Sequence, residues 1–295
     1  MSALLFLAQT LRIAIPYLFA AAGGAIAERA GVVSLTLEGF MLGGAFGAVL
    51  GAHYTGSAWI GLIVGVAAGL LLGAIHAVAS IRFKADQIVV GVAINLFTVG
   101  ITRFFLQLAF ESSSNSPRVA GFSGDSAALG SAAALLANPL VWLGLAVMPV
   151  LSWVIRRTTF GLRVRAVGEH PLAAASVGVP VNRVRYAAVL ASGALAALGG
   201  VYLALDQHQF TDSMTAGRGF IALAAVIFGR WDPLRAGLAC LLFAGAEAMQ
   251  IQLQAAQLIP SQFVAMIPYV LTIVAVAGVV GRSTPPAALG QTGEA

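Results

Sequence analysis

The chain has 295 residues, 59% of them hydrophobic and only 9% charged, with a mean hydropathy of +0.93. Soluble domains carry about a quarter charged residues, so this chain cannot cover a globule with polar surface. That excludes a water-soluble enzyme, a disordered chain and a nucleic-acid binder together. At about 20 residues per spanning helix, the length predicts an all-α polytopic bundle of roughly eight to ten transmembrane helices. The net charge of +5 belongs to loops facing the cytoplasm and not to a phosphate-bearing partner.

Apolar runs predict spans at 3–27, 35–52, 58–80, 87–108, 134–155, 184–205, 218–229, 235–256 and 262–281. The first has no basic residue ahead of its apolar stretch, so it reads as a span and not as a cleaved signal. The second and seventh are short, as broken or re-entrant helices are, and such helices persist at membrane depth only inside protein or beside a water-filled path. Gly43, Gly47 and Gly51, and then Gly61, Gly65, Gly69 and Gly73, recur every four residues. Each set makes a bare stripe on which a neighbouring helix backbone can settle.

Between spans, the segment from Glu111 to about Ser131 is rich in Ser, Gly and Asn and predicts a flexible loop. Residues 1–283 form one transmembrane domain, with a long loop at about 156–183, and 284–295 read as a disordered tail. If the side holding Arg156, Arg157, Arg163, Arg165, Arg183 and Arg185 is cytoplasmic, alternation adds Arg29, Arg82, Lys84, Arg230, Arg235 and Arg282. That places 12 of the 16 basic residues on one side. The asymmetry predicts nine crossings, an external N-terminus and a cytoplasmic C-terminus.

Inside the long loop, Pro171 suits the first turn of a helix, Gly178 suits the position past its end, and Glu169 complements the positive end of its dipole. A short helix at about 171–177 follows, with Leu172, Ala173 and Val177 on an apolar side. Such a helix either lies on lipid headgroups or docks in a groove of another protein.

Glu38 lies in an apolar segment, where an acidic group costs roughly 2.5–3.5 kcal/mol. It either lines a polar path or bonds the backbone N–H groups of a broken helix near 31–36. Asn95, Thr98 and Thr102 share one helix face, as contacts for a polar solute or as glue to a neighbouring helix. Phe97 and Phe220 are candidates to stack on a ring, with plain packing as the alternative. Glu247, beside Gln250, Gln252 and Gln254, reads as solvated near the end of its span. The four histidines lie in separate segments without metal-ligand spacing, and Cys240 is the single cysteine, so no metal site is expected. No nucleophile–base pair is legible.

The run GLRVRAVGEHPLAAASVGV (161–179) resembles the cytoplasmic coupling loop of ATP-binding-cassette importer permeases for simple sugars, nucleosides and branched-chain amino acids. The segments ERAGVVSLTLEGFMLGGA (28–45), DQIVVGVAINLFTVGITRF (86–104) and TAGRGFIALAAVIFGRWDP (215–233) are similar to that family's other motifs, with Ser34 where the pattern has asparagine. The resemblance implies an inner-membrane permease, nearest the nucleoside and simple-sugar branch, paired with a second identical or related permease. Its other implied partners are two ATPase subunits or one fused pair, which use ATP and Mg, and an external substrate-binding protein. It implies contacts to the ATPase from Glu169, His170, Pro171, Leu172 and Ala173, flanked by Arg163 and Arg165. The chain has no G-x-x-x-x-G-K-[ST] phosphate loop, so ATP hydrolysis is expected on a separate chain. Nucleosides or purine-like solutes are the favoured cargo, with sugars or branched-chain amino acids as alternatives. A gradient-driven carrier or channel is the reading from another class, and it leaves the loop helix without a role.

Overall fold

The glycine stripes place the core. A methyl group added to Gly61 would sit 2.6 Å from the carbonyl oxygen of Ala48, and one on Gly43 would sit 2.6 Å from Cδ1 of Leu72. The same construction on Gly69 meets Ala197 and Gly193, and on Gly200 it meets the backbone of Met41. Three helices therefore touch backbone to backbone, which is how helices associate where lipid offers no hydrophobic drive.

The computed structural model describes residues 3–122, 135–256, 266 and 284–291. In chain order the helices are α1 (Ala3–Arg29), α2 (Leu37–Thr55), α3 (Ala58–Ala77), α4 (Gln87–Phe110), α5 (Pro139–Arg157), α6 (Thr159–Glu169), α7 (Pro171–Ser176), α8 (Val181–Asp206), α9 (Arg218–Phe228) and α10 (Pro233–Ala256). A π-helical turn at Val78–Arg82 extends α3. Six of these helices, α1, α3, α4, α5, α8 and α10, are long and apolar enough to span a membrane. Each lies within a few residues of its predicted span. The predicted span at 262–281 lies outside the described residues.

The α2, α3 and α8 helices form the centre, with α1 packed on α8 and α10. Two ends can be told apart. At one lie Arg29, Gly168 and Arg185, joined where Arg185 Nε donates to the Ala30 carbonyl (3.4 Å). At the other, Arg12 pairs with Asp206 (2.7 Å). The predicted short helix is present as α7, with Pro171 in its first turn and Gly178 just beyond it at φ +82°.

Two expectations fail. The described part of the predicted flexible loop is paired: Asn115 bridges Thr211 antiparallel, and Ser116 and Val119 donate backbone bonds to Phe210 and His208. Phe210, fully buried against Phe46 (centroids 5.2 Å apart), anchors this pairing. Residues 284–291 of the predicted disordered tail form a turn, because the Ala288 N–H reaches the Gly168 carbonyl (2.9 Å) and the Gly290 N–H reaches that of Gly31 (3.2 Å). A small, proline-rich composition cannot show that neighbouring backbone leaves acceptors for it.

Gly61→Ala is expected to destabilise the bundle by about 1–3 kcal/mol, because a rigid backbone carbonyl must move to admit the methyl. A thermal melt in detergent measures it, and an unchanged midpoint would refute the close approach of α2 and α3.

Candidate functional site

Three helices are capped by the side chain of the residue just before them. Asp86 accepts from the N–H groups of Ile88 (2.8 Å) and Val89 (3.0 Å) at α4, Asn138 from Leu140 (3.0 Å) at α5, and Thr158 from Gly161 (3.1 Å) at α6. The starts of α2 and α9 have no such cap from Thr36 or Gly217, although a helix leaves its first four N–H groups unpaired. Other helices supply what is missing. Asn95 of α4 accepts from the Gly39 N–H (2.8 Å) and donates to the Leu35 carbonyl (2.8 Å), so it caps α2. Glu38 of α2 accepts from the N–H groups of Gly217 (2.8 Å) and Gly219 (2.7 Å) and from the Thr215 hydroxyl (2.6 Å), so it caps α9.

At about 1.5 Å rise per residue, Asn95 lies roughly 12 Å along α4, and the 11 residues of α9 span roughly 16 Å. The α9 helix is thus too short to cross a hydrocarbon core about 30 Å thick, and its N-terminus meets that of the 19-residue α2 at Glu38. A carboxylate between two positive dipole ends is electrostatically favourable. Arg218 would oppose that arrangement, but it pairs with Glu247 (3.1 Å), which also accepts from the Tyr17 hydroxyl. Glu247 is therefore held in an ion pair within the bundle, contrary to its reading as a solvated end residue. Glu38 does bond backbone N–H groups, as one reading expected. They belong to the start of α9 and not to the 31–36 segment.

A second junction ties the ends of α1, α9 and α10. Glu28 is buried and accepts from Trp231 Nε1 (2.5 Å) and the Ser34 N–H (3.2 Å), while Arg29 Nε donates to the Trp231 carbonyl (2.9 Å). Sequence reasoning missed both Glu28 and Trp231 as a pair. The signal was available: each sits inside a quoted motif, an acidic group just before a glycine break and a tryptophan whose N–H must find an acceptor when buried.

The next layer is α6, α7 and the tail turn. Thr158 begins α6, and a methyl on Gly161 or Gly168 would strike the backbone of Val154 or Arg29, so α6 is pressed against α5 and the end of α1. Only Ala174 of α7 is buried, and Leu172 and Val177 are 66% and 78% exposed. His170 and Ala173 are exposed, Pro171 is half-buried, and Glu169 Oε2 accepts from the Ala287 N–H (3.3 Å). Arg163 is exposed and Arg165 half-buried. The loop residues named from sequence thus gather at one end of the bundle.

The other named residues divide. Glu38, Asn95 and Thr98 meet around the first turn of α2, with Thr98 Oγ1 3.2 Å from where a Gly39 methyl would lie. Phe220 follows Gly219 directly and is 47% exposed. The hydroxyls of Thr98 and Thr102 donate to carbonyls of their own helix, at Ile94 (2.7 Å) and Thr98 (2.8 Å). Phe97 is 53% exposed, on the outer side of α4.

Arg156 and Asp232 join α5 to the start of α10. Partial burial works against the Asp232 carboxylate, but bonds from Arg156 and the Arg235 N–H, with their charges, hold its carboxyl below the usual range. A carboxyl so lowered contributes its full stability above its ordinary pKa near 4 and loses it as pH falls through the lowered folded value. Because Arg156 is half exposed and screened by solvent, Asp232→Asn is expected to cost only about 0–1 kcal/mol at pH 7, and less at pH 3. Melts of both proteins across that range check the sign, which a larger loss at pH 3 would reverse.

A family profile described as "Branched-chain amino acid transport system / permease component" matches residues 6–276. The chain is 38% identical to the guanosine ABC transporter permease protein NupQ of Bacillus subtilis, over 95% of this chain and 93% of that one. It is 34% identical to the nucleoside ABC transporter permease protein NupC of Lactococcus lactis, over 93% and 92% of the two chains. A solved ABC transporter of metal-chelate type, in an inward-facing conformation, shares the fold at a TM-score of 0.52 and 16% identity, over 90% of this chain and 85% of that one. Helix N-termini capped by residues of other helices, a short helix exposed at one end, and a profile matched across nearly the whole length agree: the chain belongs to the family of branched-chain amino acid transport system permease components.

Proposed function

We propose that the chain is the membrane-spanning subunit of an ATP-driven, binding-protein-dependent importer for nucleosides or related purine-like solutes. One observation carries the mechanism: α7 is a six-residue helix held between two spans with Leu172 turned outward. An apolar side chain displayed on so short and constrained a helix suits a groove on another protein. The occupant is an ATPase subunit that binds ATP and Mg, present twice or as a fused pair. The likeness to permeases named for guanosine and nucleosides supports the choice of cargo.

In this reading the α7 end faces the cytoplasm, as the concentration of basic residues there supports. The N-terminus and the paired 111–122 and 207–212 segments face outward, where an external binding protein delivers solute. A second permease, identical or related, completes the path. Motion of α7 reaches α2 and α9 through α6, which touches Arg29 at Gly168 and so the segment that leads into α2. Glu38 and Asn95 hold the α2–α9 junction whose rearrangement opens or closes the path.

Uptake by proteoliposomes tests this. Purified permease, ATPase and binding protein are combined with labelled guanosine, glucose or leucine. ATP-dependent accumulation of guanosine above the other two is expected. Uptake by the permease alone, driven by a gradient without ATP, would replace the importer with a carrier.

A further inference from the structure

The tail turn is more than a covering. Ala288 is 1% exposed, and its N–H bond to Gly168 fixes the turn one residue before Glu169, at the root of α7. Leu289 packs on the hydrophobic core, and the turn closes on itself through Leu289 N–H to Pro286 and Gln291 N–H to Ala288. Between turn and helix lies an open cavity of about 680 Å³, with Leu172 and Ala173 on one wall, Ala287 and Gln291 on the other, and Arg185 contributed by α8. Its apolar wall residues Leu172, Ala173 and Ala287 are exposed, and Glu169, His170 and Gln291 supply polar atoms at its margin. A groove with an apolar lining and a polar rim is the form of a protein-binding surface.

We infer that residues 284–291 are half of the ATPase docking site, so that the ATPase subunit reads a composite groove made by α7 and the C-terminal turn. This rests on the reading of α7 as the ATPase contact. Three observations commit the groove to that occupant. One wall is α7 itself, so whatever seats on Leu172 must also meet Ala287 and Gln291. The opposing wall is fixed by backbone bonds to two separate parts of the bundle, Gly168 and Gly31, and a fixed wall costs a partner no ordering entropy on binding. The charge the groove exposes is acidic, Glu169, while Arg185 behind it is buried, which suits a basic patch on a folded protein and would repel an anionic lipid surface.

The test measures binding of the importer's purified ATPase subunit to full-length permease in nanodiscs by biolayer interferometry. Ala287→Trp fills the groove from an exposed position without touching the backbone bonds, and Ala288→Arg evicts the turn. Leu172→Asp reports on the helix wall. All three are expected to weaken ATPase binding at least about tenfold, with Ala287→Trp keeping the parent's melting midpoint. A Gln291→Cys variant is expected to form a disulfide with a cysteine placed in the ATPase, against a clean background because Cys240 is buried. If Leu172→Asp loses the ATPase while Ala287→Trp binds at parent affinity and Gln291→Cys never cross-links, the composite groove is wrong and the α7 contact stands. If Leu172→Asp also binds at parent affinity, the α7 reading itself falls. Loss of the permease pair with ATPase binding intact would make a second permease the occupant and overturn the inference.

Discussion

Leu172→Asp is expected to reduce ATP-driven uptake to background while leaving membrane insertion intact and the melting midpoint within about 2 °C of the parent. The asymmetry follows from exposure. Leu172 is 66% exposed, so within this chain the new carboxylate remains in water and costs little. In a complex the same position is covered, and an unpaired carboxylate buried at an interface costs about 3–5 kcal/mol, or roughly two to three and a half orders of magnitude in binding. Leu172→Met keeps volume and polarity and is expected to transport normally. Uptake assays with parallel insertion controls decide the matter, and parent-level uptake by the Asp variant would remove the docking proposal.

Glu38→Ala is expected to lower stability by about 2–4 kcal/mol and to abolish transport. The side chain accepts from two N–H groups at the start of α9 and from the Thr215 hydroxyl. Leaving buried donors unpaired costs about 1–3 kcal/mol each, and the junction also loses the charge that faces two helix N-termini. At this chain length a loss of that size corresponds to a fall of about 5–10 °C in the melting midpoint. Glu38→Gln retains one acceptor oxygen, so an intermediate shift is expected. A midpoint unchanged in Glu38→Ala, with only solute affinity altered, would make Glu38 a path residue and refute the capping role.

Much of this architecture is legible in the sequence because its causes are local. Apolar runs separated by charged or polar punctuation locate the spans, since backbone groups in lipid can be satisfied only within a helix. Four-residue glycine spacing gives the faces of α2 and α3, because helical geometry alone puts those residues in line. Pro171 and Gly178 bracket α7 by backbone preference. The shortness of the segment at 218–229 is legible too, and α9 has only 11 residues, whereas the segment at 35–52 extends to a continuous 19-residue helix.

What was illegible depends on residues far apart in the chain. Asn95, Thr98 and Thr102 look equivalent on one helix face, yet Asn95 caps α2 while both threonines bond their own helix. Nothing near Glu247 in sequence indicates Arg218 or Tyr17. The loop at 111–122 reads as free because the segment it bridges lies some 90 residues later. The tail reads as disordered because the acceptors that order it, at Gly31 and Gly168, belong to other segments.

Composition and periodicity alone settled that the chain resides in a bilayer, roughly where it crosses, and which faces pack closely, because hydropathy and helical repeat are properties of neighbouring residues. The joining of two helix N-termini through one carboxylate, and the strap that joins residues 284–291 to the base of α7, were decided by the folded bundle. A hydrogen bond needs its donor and acceptor within about 3 Å, and only three-dimensional packing brings residues nearly 180 positions apart to that distance.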